Sequence, residues 1–142
     1  IGEWGNKLTT KKKILVVDDK GMNRYMLGGI FRDNYEIVEA GGGKEAIAII
    51  EKEYDELAVI LLDIIMPGID GFGVLDYMRE HDYLSKVPVV IVTDDSSEAT
   101  AVKAFEYKVA DMVIKPFEPR IIKRRVENII ELYTYKEKYG NV

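Results

Sequence analysis

The chain has 142 residues, 47% of them hydrophobic, enough to bury the core of one compact domain and too few for a second. Its formal charge of −5 argues against direct contact with nucleic acid, which calls for a basic footprint. The absence of cysteine excludes a disulfide frame and thiol-ligated metal, and no stretch resembles a signal peptide or a membrane span, so a cytoplasmic protein without membrane contact is expected.

Residues 1–10, with Gly2, Trp4, Gly5 and Asn6, show no hydrophobic period and predict a loose arm reaching to about residue 11. Lys11, Lys12 and Lys13 then form a solvated entry to a short apolar run at 14–17. Further β-branched runs lie at 37–38, 58–62, 89–92 and 112–114. Helical patterns alternate with them over 22–31, 44–52, 72–80, 98–107 and about 120–139, and Gly, Asp or Ser residues suited to turns or caps precede the first four. Strands read as nearly unbroken apolar runs when helices cover both faces of a sheet. The pattern therefore predicts an α/β fold with a doubly wound, five-stranded parallel sheet, (βα)5, over a mixed α+β arrangement. In the last helix Ile122, Val126, Ile129, Ile130 and Tyr133 recur at three- and four-residue spacing, and Lys136, Glu137 and Lys138 continue it as a polar tail.

Four of the runs stop at polar residues: Asp18 with Asp19, Asp63, Thr93, and Lys115. In a parallel sheet all five side chains emerge at the carboxyl edge, where open α/β folds place their ligands. Three carboxylates, a hydroxyl and an ammonium suit a divalent cation such as Mg²⁺ together with a phosphoryl group, because hard cations take oxygen ligands and Lys and Thr hold phosphate oxygens. Taken singly, each feature has a plain structural reading. An Asp pair after a strand is often a polar turn, the Met66-Pro67-Gly68 and Asp70-Gly71 stretch reads as a turn with a helix cap, and Lys115-Pro116 reads as a strand exit. Asn23 and Arg24 sit on a helix face under either reading, and His81, the only histidine, reads as solvated surface.

Four segments in this order, ILVVDDKGMNR over 14–24, LDIIMPGIDG over 62–71, VIVT over 90–93 and IKPF over 114–117, resemble the receiver domain of two-component response regulators. The likeness covers about residues 12–128 and implies the flavodoxin-like, chemotaxis-regulator-like fold. It implies that Asp63 accepts a phosphoryl group from a sensor histidine kinase or phosphotransfer protein, acting as a carboxylate nucleophile. It further implies that Asp18, Asp19, Asp63 and the backbone carbonyl of Ile65 hold Mg²⁺, that Thr93 and Lys115 contact phosphoryl oxygens, and that a cis Lys115-Pro116 peptide aims the Lys ammonium into the site. The domain would catalyse only its own phosphorylation and dephosphorylation, and switch an output face made of the fourth helix, fifth strand and fifth helix.

Several positions depart from the family pattern. Met112 stands where an aromatic switch residue is usual, and a flexible thioether repacks without a two-position ring flip. Asp94, followed by Asp95, occupies the usually small position after Thr93 and adds bulk and negative charge near the acceptor. Lys108 and Val109 replace a common Gly-Ala turn, so the helix before the fifth strand is expected to end differently. Residues 129–142 read as an extension of the last helix, a linker to an output domain that the chain lacks, or a homodimer contact alongside the output face. The alternatives are a pseudo-receiver that serves only as an interaction module, a small Mg²⁺-dependent phosphohydrolase, and a flavin binder. The second is disfavoured because Ile65 stands where an Asp-x-Asp acid would be, and the third because Asp18 and Asp19 would repel a flavin phosphate.

Overall fold

A computed structural model describes residues 11–140. Five strands, β1 (Lys13–Val17), β2 (Glu36–Ala40), β3 (Leu57–Leu62), β4 (Val89–Thr93) and β5 (Asp111–Ile114), alternate with α1 (Gly21–Phe31), α2 (Gly43–Glu53), α3 (Gly71–Glu80), α4 (Glu98–Glu106) and α5 (Pro119–Tyr139). The strands pair in parallel in the order β2-β1-β3-β4-β5. The chain thus starts near the middle of the sheet, winds to one edge, then crosses back to the other. The expected doubly wound fold is present, with boundaries displaced by a few residues at most and one addition, a 3₁₀ turn over Tyr54–Glu56. The arm expected over 1–10 lies outside the described residues.

Each strand serves two cores because successive side chains point to opposite faces. Leu15 and Val17 of β1 join Ala46 and Ile50 of α2, Val74, Leu75 and Met78 of α3, and Ala104 of α4 on one face. Ile14 and Val16 join Leu27 and Phe31 of α1 and Ile122, Val126 and Ile130 of α5 on the other. All six residues of β3 are buried, which accounts for its uninterrupted apolar sequence.

Two glycines permit the close turns that lead from β3 into α3. Gly68 has φ of 73°, a left-handed conformation open to glycine. A Cβ on Gly71 would lie 2.5 Å from the carbonyl oxygen of Asp63, so only glycine lets α3 begin directly against the strand end. Asp70 caps that helix, accepting from the Gly73 N–H at 2.9 Å.

The Lys triplet does more than meet solvent. Lys12 is exposed, but Lys13 bridges Glu53 at 2.6 Å and Glu56 at 3.3 Å, and Lys11 Nζ lies 2.9 Å from Glu137 near the end of α5. The last helix runs unbroken to Tyr139 with Ile122, Val126 and Ile130 buried, while Ile129 and Tyr133 are half-buried. Where a different ending was expected before β5, α4 stops at Glu106 and Lys108 takes φ of 62°. Lysine there adopts a glycine-type turn, at the cost of its Cβ crowding a carbonyl. Lys108→Gly is expected to raise stability by about 1 kcal/mol, net of the extra chain entropy of glycine, and melting by about 2–4 °C. A thermal melt of the two proteins checks this, and an unchanged or lower midpoint counts against the assigned strain.

Candidate functional site: an acidic cluster bridged by lysine

The site residues extend the sheet by one step past the strands. The Asp18 N–H donates to the Ala40 carbonyl at 3.2 Å, the Asp63 N–H to Val17 at 2.9 Å, and the Lys115 N–H to Thr93 at 2.9 Å. Main-chain pairing, not loop conformation, therefore fixes where these side chains start.

Carboxylate oxygens of Asp18, Asp19 and Asp63 lie within 4.8 Å of one another. Asp18 and Asp63 are only 3% and 5% exposed, whereas Asp19 faces solvent. Lys115 Nζ reaches between the two buried ones, donating to Asp18 Oδ2 at 2.7 Å and Asp63 Oδ2 at 3.0 Å. Burial pushes its ammonium pKa down, but the hydrogen bonds it donates to Asp18 and Asp63 outweigh that and hold it above the ordinary lysine value. It is a permanent cation at neutral pH. One positive charge against three negative ones leaves the cluster anionic, and its ligand atoms are all oxygen, so the residues fit a hard divalent ion such as Mg²⁺.

The remaining polar contacts orient this set. Asp18 Oδ1 accepts from the Lys20 N–H at 2.9 Å, and Oδ2 from Asn23 Nδ2 at 3.2 Å. Asp63 Oδ1 accepts from the Ile65 N–H at 3.2 Å. Thr93 is fully buried, and its hydroxyl accepts from the Asp95 N–H at 3.3 Å. The Asp95 side chain braces the start of α4. Its carboxylate accepts from the Thr100 hydroxyl at 2.6 Å and the Ser97 N–H at 2.9 Å, and these bonds hold its pKa down. Of the two carboxylates following Thr93, Asp94 is the exposed one.

Asp18, Asp19, Asp63 and Lys115 thus converge, and Thr93 is joined to Lys115 through the main chain. The Lys115-Pro116 peptide is cis. Ile65 is 55% exposed at the rim. Met112 lies within β5, half-buried against the α2–α3–α4 core rather than among the acidic groups. His81 is exposed but not merely solvated, since its ring stacks on Tyr77 at 4.2 Å between centroids and its Nδ1 lies 2.9 Å from the Tyr77 carbonyl oxygen. Sequence reasoning missed the parts played by Asn23 and Arg24. Arg24 Nη1 donates to the Asp18 carbonyl at 2.7 Å, and Nε donates to Glu39 at 2.9 Å. The available signal was position, because the first turn of a helix that follows the acidic pair must pass over it.

A lysine-bridged acidic cluster at the carboxyl edge of a (βα)5 sheet defines a phospho-acceptor receiver. Residues 14–127 match the response regulator receiver domain family, and the chain belongs to it. It is 41% identical over 124 residues to the transcriptional regulatory protein ResD of Bacillus subtilis, covering 86% of this chain and 49% of ResD. Identity to the transcriptional regulatory protein SrrA of Staphylococcus aureus is 36% over 120 residues, covering 83% and 47%. The chain spans about half the length of these curated relatives. Among solved structures, the chemotaxis protein CheY4 of Vibrio cholerae superposes with a TM-score of 0.76 at 26% identity, covering 84% of this chain and 99% of that one. A CheY-like receiver domain protein from Methanospirillum hungatei gives 0.80 at 25%, covering 92% and 100%.

Removing the ammonium should expose the cost of burying two carboxylates side by side. Lys115→Met is expected to lose about 2–3 kcal/mol in urea unfolding with EDTA present. Adding Asp18→Asn, which removes one of the two charges, should return most of that loss. Equal stability of Lys115→Met and wild type would show that the bridge contributes nothing.

Proposed function

We propose that the domain accepts a phosphoryl group on Asp63 from the phosphohistidine of a sensor kinase or phosphotransfer protein, and that this modification switches its output face. The observation that carries the reading is the buried Asp63 carboxylate, bonded on one oxygen by Lys115 at 3.0 Å and on the other by the Ile65 N–H at 3.2 Å. Those two contacts aim the group at the edge of the sheet. An oxygen of Asp63 attacks phosphorus, the new O–P bond forms as the donor N–P bond breaks, and the electron pair leaves with the imidazole nitrogen. Asp18, Asp19, Asp63 and the Ile65 carbonyl would hold Mg²⁺, which offsets the repulsion between an anionic nucleophile and an anionic donor. Lys115, already within hydrogen-bond distance of Asp63, pairs with a phosphoryl oxygen once the charge moves outward onto that group. Thr93, at the adjacent strand end, donates its hydroxyl proton to a phosphoryl oxygen while its oxygen can go on accepting from the Asp95 N–H. The same groups support slow self-catalysed hydrolysis.

The receiver is assigned to residues 12–128, with 129–142 extending α5. A cytoplasmic location agrees with a chain free of cysteine and with the finding that no helix among the described residues is long and apolar enough to cross a membrane. Names of relatives such as ResD and SrrA support a transcriptional output domain beyond this chain. Output would pass through α4, β5 and α5, where Val102, Phe105 and Ile121 are exposed and offer a homodimer contact, or through the α5 extension. Met112 replaces the aromatic switch, so the change at β5 is a repacking of a thioether against the core.

Incubation with acetyl phosphate and Mg²⁺, read by intact mass, should give a single phosphate adduct that disappears with EDTA or with Asp63→Asn. An adduct on Asp63→Asn would relocate the acceptor, and none on wild type would leave an interaction module. Asp94→Ala removes an exposed charge beside the site and is expected to quicken both labelling and loss of label by about 2- to 5-fold. Unchanged rates would remove Asp94 from the account.

A further inference from the structure

Four groups donate hydrogen bonds to Asp18, and they differ in which atom they hold. Lys115, Asn23 and the Lys20 N–H all donate to its carboxylate oxygens, the atoms a cation would use. Arg24 alone donates to its main-chain carbonyl, at 2.7 Å. That carbonyl belongs to the peptide linking Asp18 to Asp19, so holding it holds the peptide plane and with it the Cα from which the Asp19 side chain departs. Nε of the same guanidinium pairs with Glu39 of β2 at 2.9 Å, and the Arg24 side chain is about one-fifth exposed. The β1–α1 turn is thereby tied to the neighbouring strand at two points, through Arg24 and through the Asp18 N–H to the Ala40 carbonyl.

We infer that Arg24 is a positioning residue for the divalent-cation site, holding the Asp18–Asp19 peptide so that both carboxylates face the ion without itself occupying a ligand oxygen. This rests on the proposed Mg²⁺ site. Two effects of Arg24 oppose each other, which makes the sign informative. Its positive charge disfavours a nearby cation, but Glu39 neutralises that charge at close range. Its grip on the turn favours the cation by removing disorder that ligation would otherwise have to overcome. Outer contacts that orient metal ligands are commonly worth about 10-fold or more in affinity, so positioning dominates.

Mg²⁺ titration by calorimetry on the whole 142-residue chain tests the inference, with thermal melts in EDTA run alongside. Arg24→Ala is expected to weaken Mg²⁺ binding about 10-fold. Arg24→Lys, whose single ammonium cannot serve both acceptors in the same fork geometry, should weaken it by about 2- to 4-fold. Glu39→Gln keeps the bond to the Asp18 carbonyl but unmasks the Arg24 charge, so it should weaken Mg²⁺ binding less than Arg24→Ala does, and a larger loss would show that charge rather than grip governs the site. Should Arg24→Ala fail to fold, the ratio of Arg24→Lys to wild type decides. An Mg²⁺ affinity that is unchanged while the melting point falls would reduce Arg24 to a structural role and overturn the inference. A tighter affinity would overturn it too, by showing that charge outweighs grip. If wild type binds no Mg²⁺, the proposed site itself fails, which is a different result from equal binding by wild type and variant.

Discussion

The contact on which the site depends is the ammonium of Lys115 lodged between Asp18 and Asp63. Two carboxylates nearly out of water and close together are unfavourable unless a cation answers them. Lys115 comes from nearly a hundred residues along the chain from Asp18, so the interaction exists only when β1, β3 and β5 lie in one sheet with their ends level. The sheet in turn demands the two apolar faces and the helices that cover them. Site and fold are one constraint viewed from two sides.

That arrangement also explains how a local charge change can reach a distant surface. Lys115 directly follows β5, its N–H is bonded to Thr93 at the end of β4, and both strands lead to α4 and α5. Under the proposed function, a group that draws on the Lys115 ammonium and the Thr93 hydroxyl would pull on the two segments bordering the exposed α4–β5–α5 face. Polar and aromatic contacts tie α4 and the residue after it to α3. Tyr107 donates to Asp76 while Arg79 lies over its ring, and Lys103 lies over Phe72. The hydrogen bond to Asp76, followed by burial, holds the Tyr107 hydroxyl pKa up, so the phenol remains a donor across the neutral range.

The departures from the family pattern sort by whether backbone or side chain carries the difference. Lys108 leaves the turn geometry intact, since lysine can adopt the left-handed conformation with a modest penalty. Asp95 is absorbed into capping the first turn of α4, with Ser97 and Thr100 as partners. Met112 and Asp94 differ from the family pattern in side chain, and under the proposed function they would bear on switching and on access.

Much of this was readable from the residues alone, for a definite reason. Alternating short apolar runs and amphipathic stretches specify buried parallel strands and their covering helices, because both periodicities are properties of the local backbone. A polar residue closing four of the five runs marks the sheet edge, so Asp18, Asp19, Asp63, Thr93 and Lys115 group together on pattern alone. Contacts among side chains were another matter. That Arg24 reaches the Asp18 carbonyl, that Asp95 serves a helix cap while Asp94 stays exposed, and that Lys13 is bridged rather than solvated depend on distances between elements, which sequence spacing does not encode. The residues alone determined the layers, the edge and its charge; only the tertiary structure decided which atoms of that edge are held, and by whom, because a hydrogen bond is set to within a few tenths of an ångström and a hydrophobic pattern only to a face.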